Sequence, residues 1–297
     1  MPDPAQALKL IEKKHEYLVG IDSDGCVFDT MEIKQKECFI PNIILYWNLQ
    51  PIAKYVRETV EFVNLYSKWR GVNRWPALLM VFDLLAEREE VIERKVRVPE
   101  MKALRNWVAN ETKLSNPVLK SVVDKTGDKE LEHALAWSTK VNETIAEMVH
   151  DIPPFPHVQE CLAKLSTVAD MIVVSQTPCE ALTREWQEHG IDKYVHVIAG
   201  QEMGSKAEHL SYAMDGRWTK DRVLMIGDAL GDLKAAHTNE VMFNPINPGK
   251  EDGSWRRFSS EGFDRFRQGT FLGDYMNGLI DEFKGYLPEV PPWKEGA

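Results

Sequence analysis

The sequence predicts a doubly wound, Rossmann-like α/β core with a mostly parallel sheet and an inserted all-helical domain. Two observations carry this expectation. First, short apolar runs rich in β-branched residues recur at 17–21, 171–174, 194–198, 222–226 and 241–243, and segments with helical apolar spacing separate the later ones at 179–189, 207–214 and 232–238, with a further one at 158–168. Strands alternating with helices of about ten residues build βαβ units, and hence a covered parallel sheet. Second, residues 32–150 contain no comparable β run. Their apolar residues recur at spacings of three and four, as in Tyr55, Val56, Val60, Phe62, Val63 and Tyr66, and again in Leu131, Leu135, Val141, Ile145 and Met148.

Taken in order, the first strand at 17–21 stands alone before the helical stretch. That stretch closes at Asp151-Ile152-Pro153-Pro154-Phe155-Pro156, where three prolines in four residues impose an extended linker. The expected organisation is therefore a discontinuous core at 1–31 and 152–245, a helical domain at 32–151, and a C-terminal extension at 246–297. The extension begins as a Pro/Gly loop after Asn244 and carries an amphipathic stretch at 275–286. It is expected to pack on the core and to end in a few poorly ordered residues.

Composition narrows the function. A chain of 297 residues with 36 Lys+Arg against 46 Asp+Glu has a net charge of −10, which disfavours binding to a nucleic-acid backbone because that needs a cationic surface. No run approaches the roughly 18 to 20 apolar residues that span a bilayer, and residues 1–17 carry charges where a signal peptide is apolar. A cytoplasmic location without a membrane partner is expected. The four cysteines, Cys26, Cys38, Cys161 and Cys179, form no CxxC pair and read as reduced thiols. With no HExxH among the histidines, carboxylates must hold any metal.

In a doubly wound sheet, ligands bind beyond the carboxyl ends of the strands. After the first strand stands Asp22-Ser23-Asp24-Gly25. Two carboxylates one residue apart on an extended segment point to opposite sides, so one can attack while the other faces a leaving group. Gly25 allows a sharp turn. After the fourth strand stands Gly227-Asp228-Ala229-Leu230-Gly231-Asp232. Asp232 would lie on the first turn of the next helix, where an Asp also serves as an ordinary dipole partner. Together with Asp22 and Asp24, Asp228 and Asp232 supply the oxygen donors that Mg²⁺ prefers. Ser175 and Gln176 follow the second strand and lead into a helix, a place for an anion. Lys206 precedes another helix and offers positive charge to a phosphate or to the nucleophile.

The order Asp22-x-Asp24-Gly25, Ser175, Lys206, Gly227-Asp228-x-x-x-Asp232 resembles the four motifs of the haloacid dehalogenase superfamily, over about residues 15–31 and 152–245. The helical insertion resembles the cap domain of its phosphoglycolate-phosphatase-like and β-phosphoglucomutase-like members. The resemblance implies Asp22 as nucleophile, forming an aspartyl-phosphate, with Asp24 as general acid and then base. It implies Ser175, Gln176 and Lys206 around the phosphoryl group. Mg²⁺ would be held by Asp22, the Asp24 carbonyl and Asp228, with Asp232 either a ligand through water or an orienter of the other ligands. Cys26 stands where the family commonly has Thr, and a thiol beside the nucleophile is expected to be sensitive to oxidation.

Asp24 disfavours the dehalogenases, which need no acid, and the phosphonoacetaldehyde hydrolases, which have Ala there. The expected activity is Mg²⁺-dependent hydrolysis of a small, anionic phosphorylated metabolite. A sugar-phosphate mutase is the alternative, and a non-catalytic binding protein on the same fold is the second. Specificity is expected in the helical domain. Lys54, Arg57, Lys68, Arg70 and Arg74 against Glu58 and Glu61 make a local charge of +3, and Arg57, Arg70, Asn73 and Arg74 are the candidate substrate contacts, with a solvated basic helix face as the plain alternative.

Overall fold

The computed structural model describes residues 3–294. The chain divides into two compact units, one formed by the residues up to Met31 together with Asp151–Pro288, the other by Glu32–His150 together with the residues from Glu289 onward.

The first unit is built on a five-stranded, all-parallel sheet in the order β3-β2-β1-β4-β5, where β1 is Tyr17–Ile21, β2 Ala169–Val174, β3 Val197–Ala199, β4 Val223–Gly227 and β5 Met242–Pro245. Apart from Asp170 in β2, the central strands are apolar because both faces are covered, yet alternate residues feed different cores. Val19, Ile21, Met171, Val173, Leu224 and Ile226 enter one cluster, while Leu18, Ile172, Val174, Val223 and Met225 enter the other. Strand order reverses between β1 and β4, so the crevice beyond their carboxyl ends is the switch point where such folds bind ligands.

Two segments differ from expectation. The run at 194–198 is strand only from Val197, because Asp192–Tyr194 forms a 3₁₀ turn. There the amides of Tyr194 and Val195 bond to the carbonyls of Ile191 and Asp192, which removes them from the ladder. The presumed loop after Asn244 is largely helical, running through Glu251–Arg257, a π-helical turn at Phe258–Gly262 and Phe263–Arg267. It forms because Trp255, Phe258 and Phe266, spaced for one helix face, are buried in the sheet's first cluster. The next helix, Asp274–Gly285, buries Ile280 and Phe283 in the second. Beyond Pro288 the tail belongs to the helical unit, where Trp293 meets Phe62 edge-on at 5.5 Å and the Arg88 guanidinium at 4.3 Å. The expected looseness of the last residues concerns 295–297, which lie outside the described residues.

The helical unit centres on aromatic packing. Trp75 meets Trp107 and Trp137 edge-on at 5.5 and 5.9 Å, and Trp47 packs against Phe82 and Trp137. Among the described residues, no helix is long and apolar enough to cross a membrane.

Candidate active site

Every motif singled out in the α/β unit falls at the carboxyl end of a strand or at the start of the helix that follows. Ile21 pairs with Val173 on one side and Ile226 on the other, so the next residue, Asp22, stands beside the ends of β2 and β4. Its amide donates to the Ile226 carbonyl at 2.9 Å, and its Oδ1 accepts from the Ser23 amide at 2.8 Å. The chain then turns at Gly25, whose φ of +77° suits glycine, and the Gly25 amide closes on the Phe28 carbonyl at 2.8 Å. Two buried indoles hold this turn. Trp186 donates to Ser23 Oγ at 3.0 Å and Trp255 to the Cys26 carbonyl at 2.8 Å.

Asp228 follows β4 and Asp232 lies on the helix Leu230–Asn239. Asp232 serves both readings that its position allows. Its Oδ2 accepts from the amides of Asp228 and Ala229 at 3.2 and 3.0 Å, which caps the helix, and its Oδ1 accepts from Lys206 Nζ at 2.6 Å. A Cβ on Gly227 would lie 2.4 Å from both Cβ and Cγ of Asp232, so the carboxylate reaches this position only because residue 227 lacks a side chain. Lys206 opens a helix capped by Ser205 and Glu208, and its Nζ also donates to Asp22 Oδ2 at 2.7 Å.

Asp22, Asp228 and Asp232 are all buried, and one carboxylate oxygen from each lies within 4.8 Å of the others. Three carboxylates against one ammonium leave the cluster negative, and an all-oxygen donor set of this size fits Mg²⁺. Burial pushes the Asp22 carboxyl up; Lys206 opposes this and Asp232 and Asp228 add to it, leaving the group well above the usual carboxylate range. Burial alone would lower Lys206, but Asp22 and Asp232 outweigh it and hold the ammonium above the ordinary lysine range.

The Asp24 carboxylate lies outside this cluster. Its Oδ1 accepts from Thr30 Oγ1 and its Oδ2 from Thr177 Oγ1 at 2.6 Å. Ser175 is buried at the end of β2, with its amide on the Ala199 carbonyl at 3.0 Å and its Oγ accepting from the Thr177 amide at 3.2 Å. The Gln176 side chain is exposed and bridges the carbonyls of Ser175 and Gly204 at 3.2 and 2.9 Å, so it ties two loops together. Neither threonine was a sequence candidate; that Thr177 stands two residues after Ser175 was the only available signal.

Four residues depart from expectation. Arg70, Asn73 and Arg74 are engaged inside the helical unit. Arg70 is buried and donates to the Leu65 carbonyl at 2.8 Å, and Asn73 caps the helix Arg74–Ala86 and donates to the Leu114 carbonyl at 3.0 Å. Arg74 donates to Ser138 and to Asn142 Oδ1 while lying over the Phe39 ring. Burial lowers its pKa to about 10. Of the four basic-segment candidates, Arg57 is exposed on its helix, Ala53–Asn64, and Asn73 is exposed at the cap it forms. Cys26 is fully buried, and burial together with the charges of Asp228 and Asp22 drives its thiol well up, so it is neither accessible nor readily ionised.

The fold and site define a Rossmann-like enzyme with an acidic centre at the switch point. The family model for haloacid dehalogenase-like hydrolases matches residues 96–244, just over half of the 297-residue chain, and the chain belongs to that family of hydrolases. The matched span holds Ser175, Lys206, Asp228 and Asp232, while Asp22 and Asp24 lie ahead of it. Among solved structures, the chain is similar to a haloacid dehalogenase-like family hydrolase from Streptococcus pneumoniae (14% identity, 81% of this chain and 90% of that one, TM-score 0.42). It is also similar to a predicted phosphatase from Clostridium acetobutylicum (12%, 86% and 98%, TM-score 0.42). A third similar structure is a predicted phosphoglycolate phosphatase from Haemophilus somnus (14%, 80% and 88%, TM-score 0.41). No curated protein matches the sequence.

Proposed function

We propose that this hydrolase cleaves a small, anionic phosphomonoester through an aspartyl-phosphate on Asp22. The observation that carries the reading is the convergence of three buried carboxylates, Asp22, Asp228 and Asp232, with Lys206 Nζ bonded to two of them. In the first step a carboxylate oxygen of Asp22 attacks phosphorus and the bond from phosphorus to the ester oxygen breaks, while Asp24 gives its proton to that leaving oxygen. In the second, Asp24 takes a proton from water as the water oxygen attacks phosphorus, and the bond from phosphorus to Asp22 breaks. Asp22 and Asp24 return to their starting states and inorganic phosphate leaves.

Lys206, the Ser175 hydroxyl and the loop amides around Gln176 hold the phosphoryl oxygens, because this chemistry depends mainly on positioning and charge neutralisation. Asp22, Asp228, Asp232 and the Asp24 carbonyl would hold Mg²⁺, which supplies positive charge to the carboxylates and to the phosphoryl group. Purified protein with Mg²⁺ on a broad panel of phosphomonoesters, compared with Asp22→Asn and with chelated protein, tests the reading. Phosphate release is expected from the first sample alone. An Asp22→Asn protein with full turnover would overturn the nucleophile assignment.

A further inference from the structure

Asp22 and Asp232 meet an ammonium, whereas the carboxylate assigned here to proton transfer is held by hydroxyls, one on each oxygen. Thr30 comes from the chain segment that follows the first turn. Thr177 comes from the far side of β2, 153 positions along the sequence. Its backbone is fixed on both sides, with the amide on Ser175 Oγ at 3.2 Å and the carbonyl accepting from the Gln201 amide at 3.1 Å. Its hydroxyl therefore presents Asp24 with a donor at a set place. A hydroxyl both donates and accepts, so it can orient a carboxylate and a carboxylic acid alike, which an ammonium cannot do.

We propose that Thr177 is the positioning residue of the proton-transfer group. The single turn at 175–177 thus sets both the phosphate-facing serine and the direction of the Asp24 carboxyl. The inference rests on the phosphatase reading above and adds to it a residue that acts through Asp24 without touching the phosphoryl group.

The test separates leaving groups. A 4-nitrophenolate departs without a proton, whereas an alkoxide needs one, so a displaced acid is felt only on the alkyl ester. For Thr177→Val, kcat/KM on glycerol 2-phosphate is expected to fall about tenfold or more, a share of what a general acid contributes, and to change less than about twofold on 4-nitrophenyl phosphate. Thr177→Ser, which keeps the hydroxyl, is expected to restore the alkyl rate, and thermal melting of both variants reports folding. Equal losses on the two esters, or a Thr177→Ser protein as slow as Thr177→Val, would overturn the Thr177 assignment and leave the phosphatase reading standing. A wild-type protein inert toward both esters would overturn both.

Discussion

Lys206 Nζ stands 2.7 Å from Asp22 Oδ2 and bonds Asp232 in the same contact set, so one buried ammonium joins the ends of β1 and of the helix after β4. Replacing it by Met takes the ammonium from two of the three clustered carboxylates, Asp22 and Asp232. Removing one partner of a buried ion pair costs about 3 to 5 kcal/mol, and losing a charge aimed at the reacting group costs about 100-fold or more in rate. Lys206→Met is expected to melt early and to hydrolyse almost nothing. Because Asp22 and Asp232 then lack that positive charge, Mg²⁺ should raise its melting temperature more than that of the wild type. Calorimetry with and without Mg²⁺ checks this, and a smaller shift in the variant would count against a shared site.

Gly227 and Asp232 make a second tight pair. A methyl group on residue 227 would sit 2.4 Å from Asp232 Cβ and Cγ, a separation no packed atoms tolerate. Gly227→Ala must therefore displace Asp232 from Lys206 and from the two amides it caps. Overpacking of this kind costs about 1 to 3 kcal/mol. Urea unfolding should show that loss in the wild-type background and much less of it in an Asp232→Gly background. Identical losses in the two backgrounds would mean that the pair does not collide.

These two pairs mark how far the sequence could be read. The strands were visible because β-branched runs such as 171–174 are buried on both faces, and the candidate site was visible because Asp22, Ser175 and Asp228 each follow such a run while Lys206 opens a helix. Which oxygen of Asp232 caps a helix and which meets Lys206 was not visible, since both roles ask for the same residue at the same place. The basic segment misled for a related reason. A charge count registers Arg74 as a free cation, although its guanidinium is spent on Ser138, Asn142 and the Phe39 face within its own unit. The helical run at 251–267 was hidden by its glycines and polar residues, and its place under the first turn depends on pairing Trp255 with Cys26, 229 positions away.

That pairing gives the C-terminal extension a testable task. Trp255 is fully buried, and its indole N–H satisfies the carbonyl of the residue two places beyond Asp24. Trp255→Phe keeps an aromatic ring against Phe258 and removes the donor, leaving a buried carbonyl short of a partner at a cost of about 1 to 3 kcal/mol. Chemical unfolding is expected to show that loss, accompanied by slower turnover at temperatures where the variant is fully folded. Trp186→Phe, which frees Ser23 Oγ, is the companion variant. Wild-type stability and turnover in Trp255→Phe would remove the extension from the support of the site.

His209, on the helix that Lys206 opens, sets an acid-side limit on stability. It is fully buried, and burial lowers its pKa to about 4, although the carbonyls of Gly200 and Gly204 pull the other way. The unfolded chain carries an ordinary histidine with a pKa of about 6.5. Between those two values the unfolded state binds a proton that the folded state does not, so folding loses free energy as pH falls. The stabilisation is complete above the unfolded value and declines through the window down to the folded one. At about 1.4 kcal/mol per unit, the loss across that window is of order 3 kcal/mol. Urea unfolding of the wild type at pH 7.5, 5.5 and 4.5 should follow this decline, and His209→Leu, which has nothing to titrate at the position, should flatten it. An unchanged slope in that variant would place the acid sensitivity on other groups.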